Sequence, residues 1–203
     1  MHVGGSDITI SNCSFTECRS SANGGALLVI NGLATIENCL FDDNRATLQG
    51  GAIHIVNGDG HSMSNSTVSN NYAIDGGGIS WQNVQTVFPF YIIDSVITAN
   101  DALNSGGGIR SVAGSQPVAF VGSTLCDNTP DEIIGPFMDN GNNTLCVCPP
   151  DINGNGTVDV NDILVIAAQW GTSGPQADVN QDGIVDITDL LITLDEFGPC
   201  ANL

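Results

Sequence analysis

Between residues 8 and 129 the chain alternates apolar and polar positions in runs of a few residues, each run broken by Gly, Asn or Asp. Thr35-Ile36-Glu37-Asn38-Cys39-Leu40-Phe41 is typical: Ile36 and Glu37 fall on opposite faces of an extended segment, and Asn38 interrupts it. β-Branched residues fill these runs, and none has the length of an amphipathic helix. Longer apolar runs stand nearer the C-terminus, at 162–170 and 189–197, where aliphatic residues recur at helical spacing and Gly171 or Gly198 follows. The pattern predicts short strands first and two short helices afterwards.

The short runs repeat in register. Gly24-Gly25-Ala26-Leu27, Gly50-Gly51-Ala52-Ile53, Gly76-Gly77-Gly78-Ile79 and Gly106-Gly107-Gly108-Ile109 begin 26, 26 and 30 residues apart. A second marker is an apolar residue followed three positions later by a polar one: Phe15/Cys18, Phe41/Asn44, Val68/Asn71, Ile97/Asn100 and Leu125/Asn128. Two residues before each apolar marker stand Cys13, Cys39, Ser66, Ser95 and Ser123. Self-similarity at this period predicts a solenoid. Short strands without crossover helices make it a right-handed parallel β-helix of about five coils, some 25 Å tall at about 4.8 Å per coil. Asn44, Asn71, Asn100 and Asn128 are expected to form a polar ladder, and Cys13 and Cys39 a small buried pair. The glycine and Phe-x-x-Asn markers over residues 8 to about 128 resemble the repeats of bacterial polymorphic outer-membrane proteins, a surface-exposed adhesin family. That resemblance implies the β-helical fold and, with it, display or adhesion.

The helical runs each follow a twelve-residue acidic loop, Asp151–Asp162 and Asp178–Asp189, offset by 27 residues. Oxygen-bearing side chains occupy loop positions 1, 3, 5, 9 and 12, and Gly156 and Gly183 occupy position 6. Hard cations such as Ca2+ take six to eight oxygens at this spacing, with glycine at the sharp central turn. A helix–loop–helix hand is not expected, because Pro149-Pro150 and Ser173-Gly174-Pro175 stand where the entering helices would be. Loop plus exiting helix, duplicated over residues 151–198, resembles a type I dockerin.

The resemblance carries over residue by residue. It implies two calcium ions, one held by Asp151, Asn153, Asn155, Asp159, Asp162 and the Thr157 carbonyl. The other would be held by Asp178, Asn180, Asp182, Asp186, Asp189 and the Ile184 carbonyl. Positions 10 and 11, Val160-Asn161 and Ile187-Thr188, would contact a cohesin-like protein or surface scaffold. The two pairs differ, so a symmetric dual mode of binding is not expected. A small unit of this kind is expected to draw part of its folding free energy from calcium.

With 22 acidic residues, three cations (Arg19, Arg45 and Arg110) and a formal charge of −19, nucleic acid is excluded as an expected partner. There is no apolar run long enough to span a bilayer and no export signal at Met1-His2-Val3, so the chain is expected to be a fragment of a secreted protein. Calcium loops and seven cysteines favour an extracellular or cell-surface setting. Cys148 and Cys200 bracket the dockerin-like unit, and Cys126 and Cys146 bracket the segment before it. Each pair could form a disulfide, with Cys146 and Cys148 interchangeable, and C-V-C as a metal half-site is the weaker rival. The expected domains are 1–147, β-helix with a C-terminal cap, and 148–203, dockerin-like.

Catalytic candidates are sparse. Asp42-Asp43 lies beside Arg45, with Arg19 one coil away, and reads as a solvated turn. His2, His54 and His61 form no spaced pair, and Trp81 and Tyr91 could stack on a sugar or cover loop edges. No residue is assigned a catalytic role. The expected function is an interaction protein whose calcium-dependent module attaches a β-helical display domain, with carbohydrate as a possible further ligand. The alternative is the C-terminal piece of a secreted polysaccharide lyase or glycoside hydrolase whose active coils lie upstream.

Overall fold

The computed structural model describes residues 1–83, 88–145, 150–153, 157–174, 177–180 and 182–199. The chain divides into two compact units, residues 1–146 and 147–203.

The first unit is a parallel β-solenoid of about five coils. Sheet A stacks His2–Gly4, Leu27–Ile30, Ile53–Val56, Ile79–Gln82, Ile109–Ser111 and Ile133–Ile134. Sheet B stacks Ile8–Ser11, Ala34–Glu37, Ser62–Ser64, Phe90–Ile93, Val118–Val121 and Phe137–Asp139. Sheet C stacks Ser14–Thr16, Leu40–Asp42, Thr67–Ser69, Val96–Thr98, Thr124–Cys126 and Thr144–Leu145. The shorter sheet D stacks Arg19–Ser20, Arg45–Ala46, Tyr72–Asp75 and Asp101–Ser105. Among the described residues the pairings between coils are parallel, with rows such as Ile36↔Met63↔Ile92↔Phe120 and Phe41↔Val68↔Ile97↔Leu125, and the register shifts once, between Ala73 and Asp75 in sheet D. These rows are buried and form one core along the axis.

The sequence markers now have physical causes. The first glycine of each pair turns the chain at positive φ, 61° at Gly24 and 66° at Gly50. The second is forced by contact between coils: a Cβ on Gly51 would lie 2.0 Å from the Gly77 carbonyl oxygen. Asn12, Asn38, Asn65 and Asp94 make the corner between sheets B and C in the left-handed region, which short polar side chains tolerate.

The expected asparagine ladder is present and polarised. The Asn44 Nδ2 donates to Asn71 Oδ1, Asn71 Nδ2 to Asn100 Oδ1, and Asn100 Nδ2 to Asn128 Oδ1, at 2.9, 2.8 and 2.8 Å. Glu132 ends the series, its buried carboxylate accepting from the backbone N and Nδ2 of Asn128. Burial raises the Glu132 pKa in spite of those two hydrogen bonds. A second ladder is built likewise, with Cys39 N donating to Ser66 Oγ, Ser66 N to Ser95 Oγ and Ser95 N to Ser123 Oγ.

Three expectations need correction or refinement. Cys39 is buried, where its Sγ lies against the Ile10 and Glu37 carbonyls, but Cys13 is exposed, so the two do not form a buried pair. Trp81 covers no loop edge: it points inward in the row of Val29 and Ile55, fully buried, with Nε1 donating to the Gln116 carbonyl at 2.8 Å. His54 does face opposite to Ile53 and Ile55, yet it is only 2% exposed. Cys13, Cys18 and Cys39 are free thiols, and Cys146, Cys148 and Cys200 lie outside the described residues.

Burial, with the Arg110 charge adding to it, pushes the His54 pKa down to about 4. The neutral form is therefore favoured by folding. Its contribution is complete above the unfolded value near 6.5 and is lost as pH falls toward the folded value. A loss of about 2 kcal/mol is expected between pH 7 and pH 5. Glu132 acts in the opposite sense, so the readout is the difference between the parent and His54→Gln. Urea unfolding at the two pH values should show that difference, and an unchanged pH dependence in the variant would refute it.

Candidate functional site

The second unit holds helices α1, Val160–Gln169, and α2, Ile187–Asp195. Both start two residues before the aspartates from which the apolar periodicity placed them. The reason is a capping box. Asp159 and Asp186 are the N-caps, accepting at 2.7 Å from Asn161 N and Thr188 N. Asp162 and Asp189 reach back to accept from Asp159 N and Asp186 N, each at 2.8 Å. Loop positions 9 and 12, both candidate ligands, thus also start the helix.

Asp162 and Asp189 are fully buried. The second oxygen of each accepts a backbone N–H from loop position 3: Asn153 N to Asp162 at 3.0 Å and Asn180 N to Asp189 at 3.1 Å. The two loops therefore share the same bonds among positions 3, 9 and 12. In the second, Asp178 accepts from Asp182 N and Gly183 N, Asn180 Oδ1 from Asp182 N, and Asp182 Oδ1 from Ile184 N. Gly183 has φ 97°, as position 6 requires. Asn155 and Gly156 of the first loop lie outside the described residues.

The halves also interlock. Gly171 N donates to the Val185 carbonyl and Val185 N to the Thr172 carbonyl, both at 2.8 Å. The equivalent pairing on the other side is antiparallel, Val158 with Gly198 and Thr157 with Pro199. Each loop is clipped at position 8 to the glycine that ends the other helix. Ile152, Val158, Ile166, Ala177 and Val185 are buried between the halves. No helix enters either loop among the described residues.

The donor set fits a calcium ion. Two buried carboxylates sit in the unit with no cationic side chain paired to them among the described residues, and buried anions need compensation. Asp178, Asn180, Asp182, Asp186 and Asp189 supply hard oxygens within one turn of chain. Among the described residues, no three acidic, histidine or cysteine side chains converge as a cage, because the loop oxygens accept from the loop's own amides. Carboxylates keep further lone pairs beyond one hydrogen bond each, so the two uses are compatible.

Positions 10 and 11 lie on the outside of the helix starts. Val160 is 58% exposed and Ile187 53%, and Asn161 and Thr188 beside them are also exposed. The structure adds Leu164 and Leu191, 60% and 58% exposed, one helical turn further on. They were legible as i, i+4 partners of Val160 and Ile187, opposite the buried Asp162/Ile166 and Asp189/Thr193 rows. Of the solenoid candidates, Asp42 accepts from Ser69 Oγ and Asn70 Nδ2, both at 2.7 Å, and these bonds lower its pKa. Arg45 lies 4.2 Å over the Tyr72 ring, in register with Arg19. His61 is a core residue: its Nδ1 accepts from Ala34 N at 3.0 Å, and burial lowers its pKa. Nothing here gathers a general acid and base.

Residues 1–125 match the family model for the right handed beta helix region, and residues 149–193 match that for the dockerin type I domain. No curated protein and no solved structure matches the chain. Type I dockerin domains bind calcium and imply a cohesin partner, and they are typical of secreted or cell-surface proteins. No helix among the described residues is long and apolar enough to cross a membrane. The in-register solenoid and the paired loop–helix units lead to one assignment: the chain belongs to the right-handed β-helix family and carries a type I dockerin domain.

Proposed function

We propose that residues 148–203 bind two calcium ions and dock onto a cohesin-type partner outside the cell, carrying the β-helix of residues 1–147 as a displayed domain. The observation that carries this reading is the pair of exposed aliphatic ridges, Val160/Leu164 and Ile187/Leu191, at equivalent places on the two helices. Each is flanked by a small polar residue, Asn161 or Thr188, and each starts beside a candidate calcium loop. Isolated exposed leucines are ordinary, but a duplicated apolar pair on a unit this small suits a protein partner. The candidate ligands are Asp151, Asn153, Asn155, Thr157, Asp159 and Asp162, then Asp178, Asn180, Asp182, Ile184, Asp186 and Asp189. A Cys126–Cys146 and a Cys148–Cys200 disulfide would suit an oxidising setting.

A panel of immobilised cohesin domains, presented with calcium and then with chelator, tests the proposal. Capture by at least one cohesin in calcium, loss in chelator, and a drop of tenfold or more for Ile187→Asp with Leu191→Asp are expected. About tenfold corresponds to 1.4 kcal/mol, modest for removing central apolar contacts. Capture that ignores the chelator would reject the reading. The enzyme alternative gains no support from Asp42, which is half-buried and tied to Ser69 Oγ and Asn70 Nδ2.

A further inference from the structure

The serine ladder changes to cysteine in its first two coils. Along Cys13, Cys39, Ser66, Ser95 and Ser123, each thiol or hydroxyl meets the carbonyl two residues back in its own coil. Cys13 Sγ lies 3.2 Å from the Ser11 carbonyl, Cys39 Sγ 3.2 Å from Glu37 and Ser66 Oγ 2.8 Å from Ser64. Ser95 and Ser123 repeat the contact with Ile93 and Val121. The two thiols are therefore held in one orientation, stacked in a row that the later coils fill with hydroxyls.

Cys13 and Cys39 are direct neighbours across the coils. The pairs on either side of them, Ser11↔Glu37 and Ser14↔Leu40, keep one register, and Leu40 N donates to the Cys13 carbonyl at 2.9 Å. Paired strands lie about 4.8 Å apart, inside the Cα separation of about 4.4–6.8 Å that a disulfide spans. The sulfurs also converge on one stretch of backbone. Cys39 Sγ reaches across to the Ile10 carbonyl at 3.6 Å, next in the chain to the Ser11 carbonyl that holds Cys13 Sγ.

Closing the remaining gap takes one side-chain rotation. Cys13 is exposed and free to turn, while Cys39 stays in its buried place. Cys18 is no rival, because the strand Ser14–Thr16 separates it from Cys13. At about 3.3 Å per residue it falls well beyond the roughly 7 Å that a disulfide can bridge. As metal ligands the two thiols would supply only half of a zinc site. We propose that Cys13 and Cys39 are a redox-active pair, closed to a disulfide between the first and second coils by low-molecular-weight disulfides.

The exposed Cys13 thiolate attacks the small disulfide, forming a mixed disulfide and releasing one small thiol. Cys39 then attacks Cys13 Sγ, and its proton leaves with the second small thiol. The protein gives up two hydrogens and two electrons, which reduce the small disulfide to two thiols. An accessible first thiol beside a resolving one is the arrangement of redox-sensing cysteines. The reaction needs no cohesin and no calcium, so it stands apart from the docking proposal.

The test treats the full chain with oxidised glutathione, alkylates it with iodoacetamide in denaturant and digests it with proteases specific for glutamate and arginine. Cuts after Glu17, Glu37 and Arg45 put Cys13, Cys18 and Cys39 on separate peptides, apart from Cys126. Mass spectrometry of the parent should find the peptides of Cys13 and Cys39 crosslinked. Cys39→Ser places in the second coil the residue that the ladder already carries at Ser66, Ser95 and Ser123, so its fold should be kept. That variant should trap glutathione on Cys13 at about ten times the parental level or more. Cys13→Ser should leave Cys39 a free thiol. A crosslink from either residue to any other cysteine, or glutathione persisting on Cys13 in the parent, would overturn the pair. So would both thiols remaining open to iodoacetamide under about tenfold excess of oxidised over reduced glutathione.

Discussion

Replacing Asp189 by alanine is expected to melt both helices of the C-terminal unit, with calcium present or absent. One side chain has three tasks. Its two oxygens accept from Asn180 N and Asp186 N, it closes the capping box of α2, and it is the position-12 candidate ligand. It is also fully buried, so its removal leaves two backbone N–H groups facing a space that held a carboxylate. Unmet buried donors cost about 1–3 kcal/mol each and a lost cap about 1. A sum of roughly 3–7 kcal/mol rivals the whole stability of a domain this small before calcium contributes anything. The damage should reach the other half, because Val185 in the same loop is clipped to Gly171 and Thr172 behind α1. Far-ultraviolet circular dichroism at 222 nm, followed through a thermal melt, reads both helices while the solenoid contributes mainly strand signal. Chelation of the parent should give a partial version of the same loss. A variant whose helical signal survived to the parental melting temperature would show that Asp189 is a surface acid in disguise.

The structure explains why the solenoid could be read so fully from the chain and the docking unit only in part. Each coil meets the same steric demand at the same place, so Gly51, Asn71 and Phe41 announce themselves by repetition. Where repetition stops, legibility stops with it. Cys13 looked equivalent to Cys39 by spacing, but it is exposed where Cys39 is buried. Trp81 carries no periodic label, and only the register with Val29 and Ile55 turns it inward. In the loops, Asp-x-x-Asp at positions 9 and 12 was legible as a ligand spacing. That it is also a capping box, and so starts each helix at position 10, needed the backbone hydrogen bonds. The shift matters for function: it places Val160 and Ile187 on the first turns of helices, where Leu164 and Leu191 extend them into ridges.

Asn100→Ala should destabilise the solenoid by about 3–5 kcal/mol, more than any surface change on it. Asn100 Oδ1 accepts from both the backbone N and the Nδ2 of Asn71, at 3.0 and 2.8 Å. Its own Nδ2 donates to the Val68 carbonyl and to Asn128 Oδ1. Alanine therefore takes the acceptor from both Asn71 donors and a donor from the Val68 and Thr98 carbonyls, while Asn128 Oδ1 keeps the bond from the backbone N at position 100, all inside a wall that is 1% exposed at this position. Asn100→Asp is the informative companion. A carboxylate still accepts from Asn71, but it sets two acceptors face to face at Asn128 and buries a charge, so it should be no better tolerated than alanine. Because every amide in the row points the same way and the row ends on the Glu132 carboxylate, loss of the middle member should also weaken its neighbours. Native-state hydrogen exchange at the amides of Asn44, Asn71 and Asn100 is the direct check, alongside urea unfolding. Slow exchange preserved at Asn71 in the alanine variant, with a loss below about 1 kcal/mol, would mean that water replaces the amide at little cost. The ladder would then be a consequence of the coil geometry, with no share in holding it together.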